Sequence, residues 1–198
     1  MNTTAALALP ALLVLALAGC GDDGPDGGDG DGGSGGSGGA GGSTASCLVG
    51  KTWSLDVADA AEQLGTYMTG NGLNVTESSG DGAETFTFND DGTASTTTTL
   101  SYTITIDSGD GLVLTLVQTH TGTPSGGYEI DGDTVTFSDW NQNDYAIANH
   151  MMVNGVESDA PIQVPDAGLG GTDMVVSCDG GAMTTKVAAS PFTQKWTS

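Results

Sequence analysis

The stretch Thr85-Phe86-Thr87-Phe88-Asn89-Asp90-Asp91-Gly92-Thr93, with Leu100-Ser101-Tyr102-Thr103-Ile104-Thr105-Ile106 just beyond it, decides the fold class. Phe86 and Phe88 alternate with threonines, and Leu100, Tyr102, Ile104 and Ile106 alternate with Ser101, Thr103 and Thr105. Successive side chains on a strand point to opposite faces, so a period of two builds one apolar face, whereas an amphipathic helix repeats every 3.6 residues. Both segments read as half-buried strands. The turn between them, Asn89 to Gly92, ends in a glycine able to take positive φ.

The same signal continues outward in both directions. Ser108-Gly109-Asp110-Gly111 is a second turn, and Leu112 to Thr119 follows as a strand apolar on both faces. Tyr128 to Asp131 and Thr134 to Phe137 flank Gly132-Asp133 as a hairpin, with Ile130, Val135 and Phe137 as inward side chains. Asp144 to Val153 is a further strand ending at Asn154-Gly155, and Met174 to Cys178 with Met183 to Val187 surround the turn Asp179-Gly180-Gly181. With Cys47 to Leu55 counted first, the expectation is an all-β domain, an antiparallel up-and-down meander of about eight to ten strands. Asp56 to Met68 departs from the pattern, because Val57, Ala60, Ala61 and Leu64 are spaced as on a helix face. A short helix over 57–68, capping one end, is expected. Consecutive hairpins favour closure into a barrel over a two-sheet sandwich, and closure also removes exposed strand edges.

Leu48-Val49-Gly50-Lys51-Thr52-Trp53 resembles the opening Gly-x-Trp signature of the lipocalin-like, or calycin, superfamily, with one extra residue between Gly50 and Trp53. The segments 86–93 and 128–137 are similar to hairpins of bacterial lipocalin-like lipoproteins. The resemblance covers most of 47–198 and implies a barrel with Trp53 plugging one end. A barrel of about eight strands has room for one small ligand.

The N-terminus reads as an address. Ala5 to Ala18 contains only Ala, Leu, Val and one Pro, and is followed by Gly19-Cys20. Such a run is shorter than the ~20 apolar residues needed to span a bilayer, and fits a secretory signal with small residues before the cut. Leu17-Ala18-Gly19-Cys20 resembles the lipobox of bacterial lipoproteins, which implies a signal peptide over 1–19 and diacylation of Cys20. Met1 to Thr4 lacks the Lys or Arg usual in an export signal. Gly21 after the acylated cysteine, where Asp would favour retention in the inner membrane, implies the outer membrane. Two acyl chains suffice for stable anchoring. Residues 20–46 follow as the lipidated cysteine and a tether: Gly21 to Ser46 holds 13 Gly and 5 Asp with no large apolar side chain. Such a segment does not bury enough surface to offset its ordering entropy, and as a coil reaches about 25 to 30 Å. Its Asp residues lack the fixed turn and closing Glu of a calcium loop. The β domain is then 47–198.

Charge and cysteine content narrow the function. The chain has 3 Lys plus Arg against 25 Asp plus Glu, a formal net charge of -22, so phosphate-rich partners such as nucleic acid are disfavoured. With Cys20 acylated in an oxidising compartment, Cys47 and Cys178 are expected to pair as a disulfide. A metal site would need clustered ligands, and His120 and His150 lie apart from each other and from both cysteines. No metal or cofactor is expected.

Catalytic motifs are lacking: there is no Gly-x-Ser-x-Gly elbow and no His-Glu-x-x-His, and Gly50-Lys51-Thr52 lacks the earlier glycine of a phosphate loop. Acidic pairs such as Glu129 with Asp131, or Asp90 with Asp91, are what this composition produces on a solvated face. On the strand over 144–153, either Tyr145 or His150 faces the barrel interior, and His120 reads as solvent-exposed at a strand end. The function expected is a membrane-anchored, non-catalytic lipoprotein whose barrel binds a small apolar or amphipathic molecule. The alternative is an envelope protein that contacts a partner through its acidic outer face. An enzyme would need a cavity with convergent polar groups and a shifted pKa, neither of which a sequence displays.

Overall fold

A computed structural model describes residues 44–158, 172–188 and 190–198. The elements in chain order are α1 (Thr44–Leu48), β1 (Lys51–Leu55), α2 (Val57–Gly70), β2 (Val75–Phe88), β3 (Thr93–Asp107), β4 (Val113–Gly122), β5 (Ser125–Asp131), β6 (Thr134–Asn141), β7 (Ala146–Val153), β8 (Val156–Ser158), β9 (Asp173–Asp179), β10 (Ala182–Val187) and β11 (Gln194–Thr197).

The strands form one antiparallel sheet that closes on itself. Neighbours run β2-β1-β11-β10-β9-β6-β5-β3, and β3 pairs back onto β2, so eight strands make a barrel. The all-β class and the barrel are as the hairpin pattern predicts, and the sandwich is excluded. Three further strands, β4, β7 and β8, continue outward from β3 as a wing. β3 is therefore shared. One edge pairs with β2 from Ala94 to Ile106, while the other pairs with β5 at Thr93 to Ser95 and with β4 at Thr98 to Asp107.

Large side chains meet small ones across the barrel wall. Phe88 lies opposite Ala94 and Phe86 opposite Thr96. Phe86 stacks on Phe88 at 4.4 Å between ring centroids and on Phe137 at 5.7 Å. Offset aromatic packing of this kind adds to the burial of apolar area. Leu48, Trp53, Val135, Met174, Val176 and Met183 complete the floor. Val135 and Phe137 face inward as expected, and Ile130 packs partly buried against them.

Helix α2 lies across β2. Asp56 caps its first turn by accepting from the Asp59 N–H at 3.0 Å, and the Asn71 side chain donates to the Tyr67 carbonyl at 2.8 Å. Close approach is possible because two glycines face each other's elements. A Cβ on Gly65 would lie 2.6 Å from Ser78 Cβ, and one on Gly80 would lie 2.6 Å from Val57 Cγ1 and 2.8 Å from the Val57 carbonyl oxygen. The Ser78 hydroxyl donates to the Ala61 carbonyl at 2.6 Å across the same seam. Neither helix among the described residues is long and apolar enough to cross a membrane.

Several boundaries differ from the sequence reading. The expected first strand over 47–55 divides into α1 and the shorter β1, because Leu48 is fully buried and draws the preceding residues onto the core as a helical turn. That helix starts at Thr44, so the last three residues assigned to the 20–46 tether belong to the folded unit; Cys20 and the rest of the tether lie outside the described residues. The helix expected over 57–68 runs Val57–Gly70. The strand read from Thr85 begins ten residues earlier, at Val75. The part ahead of Thr85 escapes the period-two test because the residues it turns inward are Ser78, Gly80 and Glu84. β8 and β11, of three and four residues, are too short to show alternation. The long connection over 159–171 lies outside the described residues.

Candidate functional site

Above the aromatic floor the barrel does not fill. A cavity of about 360 Å³ opens at the end covered by α2, within the range of small-molecule pockets. Phe86, Trp140 and Trp196 form its apolar base, and Leu64 and Phe192 its roof. The Trp196 indole N–H donates to the buried Thr185 hydroxyl at 2.9 Å, so the base carries a satisfied polar group.

The polar wall is assembled where β3 changes partner. Even-numbered positions of β2 and β3 point inward, which places Glu84 directly across from Thr98 and puts Tyr102 on the same face. β4 then adds Gln118 opposite Tyr102 and His120 opposite Leu100. Tyr145, just before β7, closes the ring from the wing side.

Hydrogen bonds orient this group. Gln118 Nε2 donates to Asn149 Oδ1 at 3.0 Å, which turns Gln118 Oε1 toward His120 Nε2 at 2.7 Å. Nε2 therefore carries a proton, and in the neutral ring Nδ1 accepts from the Tyr145 hydroxyl at 2.6 Å. Burial holds the His120 pKa below its ordinary value, which favours this neutral tautomer. The Tyr102 ring meets His120 edge-on at 5.8 Å between centroids. Burial, with Glu84 and Tyr145 nearby, raises the Tyr102 phenol above its usual range.

Glu84 is the acid of the cavity. Burial pushes its carboxyl up to about 7, opposed by the smaller effect of the Thr98 hydroxyl beside it. None of the three lysines reaches it. Lys195 pairs with Asp59 on the outer side of α2, Lys51 sits 5.7 Å from the Trp53 ring centre, and Lys186 is exposed on β10.

Cys47 and Cys178 form the expected disulfide, with Cα atoms 6.4 Å apart, tying α1 to β9. Of the two candidates, Tyr145 ahead of β7 faces the cavity; His150 within β7 points outward, 61% exposed, with Nδ1 3.4 Å from Glu157 Oε1. His120 corrects the expectation of a solvent-exposed strand end: β4 extends to Gly122, which places His120 inside the strand and on its inner face. Asp91 serves its turn, accepting from the Thr93 amide at 3.0 Å and hydroxyl at 2.6 Å. Asp90, Glu129 and Asp131 lie exposed, as a solvated face predicts. Trp53 is buried in the core of β1, and its Nε1 has no hydrogen-bond partner among the described residues.

Glu84, Tyr102, Gln118 and Tyr145 had no chemical motif to announce them. One signal was present for Glu84: it shares a strand face with Phe86 and Phe88, and a carboxylate on a core face demands an explanation. Comparison with known proteins yields no match to this chain, whether among family models, curated proteins or solved structures.

Proposed function

We propose that this is an exported lipoprotein, anchored through Cys20, whose barrel binds a small amphipathic molecule without transforming it. The observation that carries the reading is the unfilled cavity, with an aromatic base on one side and convergent polar side chains on the other. Pockets that retain small ligands combine these features: apolar area supplies affinity and a few placed polar groups fix orientation. The Cys47–Cys178 bond suits an oxidising, exported location.

Native mass spectrometry of the full chain, extracted from membranes of an exporting host and compared with the same sample denatured, tests both halves. The expected mature chain starts at Cys20 and carries a covalent diacyl mass that survives denaturation, plus a second mass that denaturation removes. A chain without the acyl mass would refute the anchor, and one without the releasable mass would refute the occupied cavity.

A further inference from the structure

We infer that the ligand of this cavity is an amphipathic organic cation, with Glu84 as its counter-ion and the surrounding aromatic rings as its apolar seat. The inference deepens, and rests on, the reading of the cavity as a binding site.

Three observations converge on it. Among the described residues lining the cavity Glu84 is the one carboxylate, and a carboxylate on a core face costs free energy unless something compensates it. Among the described residues such help comes from the Thr98 hydroxyl alone, since all three lysines of the chain lie elsewhere. A cationic ligand supplies the missing charge. Secondly, the rings beside Glu84 suit that charge: Phe86, Tyr102 and Trp140 present π faces and edges to the same space, and a cation within about 6 Å of an aromatic face is attracted to it. Thirdly, anionic ligands meet opposition. The wall has no positive side chain to receive one, because His120 is held neutral, and the net charge of -22 repels anions from the surface while drawing cations toward it.

Among the described residues the titratable groups facing the cavity are Glu84 from β2, Tyr102 from β3, His120 from β4 and Tyr145 ahead of β7; α2, β9, β10 and β11 contribute only uncharged side chains to it. A bound cation favours the ionised carboxylate, so affinity should follow Glu84 ionisation and rise through its pKa of about 7. His120 protonation would weaken cation binding too, but below pH 6.5, since burial lowers its pKa.

The test uses three probes with one tail: octyltrimethylammonium, octanoate and octanol. They are titrated calorimetrically into the full chain carrying Cys20→Ser, exported so that the disulfide forms and no acyl anchor requires detergent. Octyltrimethylammonium has a permanent charge, so its pH dependence belongs to the protein. Expected are preference for the cation over both other probes and an affinity gain of about thirtyfold between pH 5.5 and 8.5, the change in the ionised fraction of a group titrating at about 7. In Glu84→Gln the preference and the gain above pH 6.5 should vanish while octanol binding persists, which shows that the variant is folded. Octanol or octanoate binding as tightly as the cation at pH 8 would overturn the charge assignment and leave the binding cavity standing. Retention of both preference and pH dependence by Glu84→Gln would overturn the assignment to Glu84. Failure of all three probes to bind would count against the cavity reading and the cation together.

Discussion

Glu84 holds its proton more tightly in the barrel, where its pKa is about 7, than in an unfolded chain with the ordinary value of 4.5. Between those values the folded state binds the extra proton, so this residue makes stability fall as pH rises from about 4.5 to 7 and leaves it at the lower level above. For a separation of that size the loss is about 3 kcal/mol at most. Glu84→Gln should therefore make the empty barrel about 1 to 3 kcal/mol more stable than wild type at pH 8 and little different at pH 4, measured by urea unfolding across that range. An unchanged pH slope in the variant would mean the carboxylate is not desolvated. His120 acts in the opposite sense, because its lowered pKa lets the unfolded chain take the proton first as pH falls below 6.5; Glu84→Gln should expose that residual slope. At this scale the sequence was legible where apolar residues alternated and silent where a polar one took an inward position. Phe86 and Phe88 announce their strand, while His120 looks like a surface residue until β4 is seen to run past it.

The seam between α2 and β2 sets the cavity's roof. It is close because Gly65 and Gly80 leave no side chain between helix and sheet, and because Gln63 binds the chain ahead of β11. Its Nε2 donates to the Thr193 carbonyl at 2.6 Å and its Oε1 accepts the Thr193 amide at 3.0 Å. A methyl at Gly80 meets the Val57 backbone, which has little freedom to yield, so Gly80→Ala should cost about 1 to 3 kcal/mol through overpacking. Gly70→Ala, at the end of the same helix with open space around it, should be neutral or stabilise by up to about 1 kcal/mol. Thermal unfolding of the two variants side by side checks the contrast; equal melting temperatures would show the seam to be looser than described. The helix was readable from the spacing of Val57, Ala60, Ala61 and Leu64. The upper half of β2 was not, because a strand covered by a helix at close range turns small residues inward, and small residues carry no hydrophobic signal.

The closed barrel was legible through three of its hairpins, β2–β3, β5–β6 and β9–β10, each closed by a glycine-bearing turn. The wing was not. β4 and β7 pair across the intervening hairpin of β5 and β6, from Leu114 with Val153 to Thr121 with Ala146, and a local reading has no means to foresee partners so far apart in the chain. The disulfide was anticipated from cysteine count, and its consequence for stability is global because it spans 131 residues. Replacing both Cys47 and Cys178 with serine should lower unfolding free energy by up to about 5 kcal/mol, read as a fall in the urea midpoint that reductant reproduces in wild type. A midpoint insensitive to both would place the restraint elsewhere. The position of that bond also decides how the molecule bears load. β1 is the first strand of the barrel, held by Lys51 to Ser54 against β2 and by Ser54 and Leu55 against β11, and tension on its leading end would peel it. Cys47 lies ahead of β1, so any pull arriving through the chain N-terminal to it passes across the sulfurs into β9, in the interior of the sheet. The covalent link thus works as a strain relief, and under mechanical tension the reduced protein should open from β1 while the oxidised one keeps its wall intact.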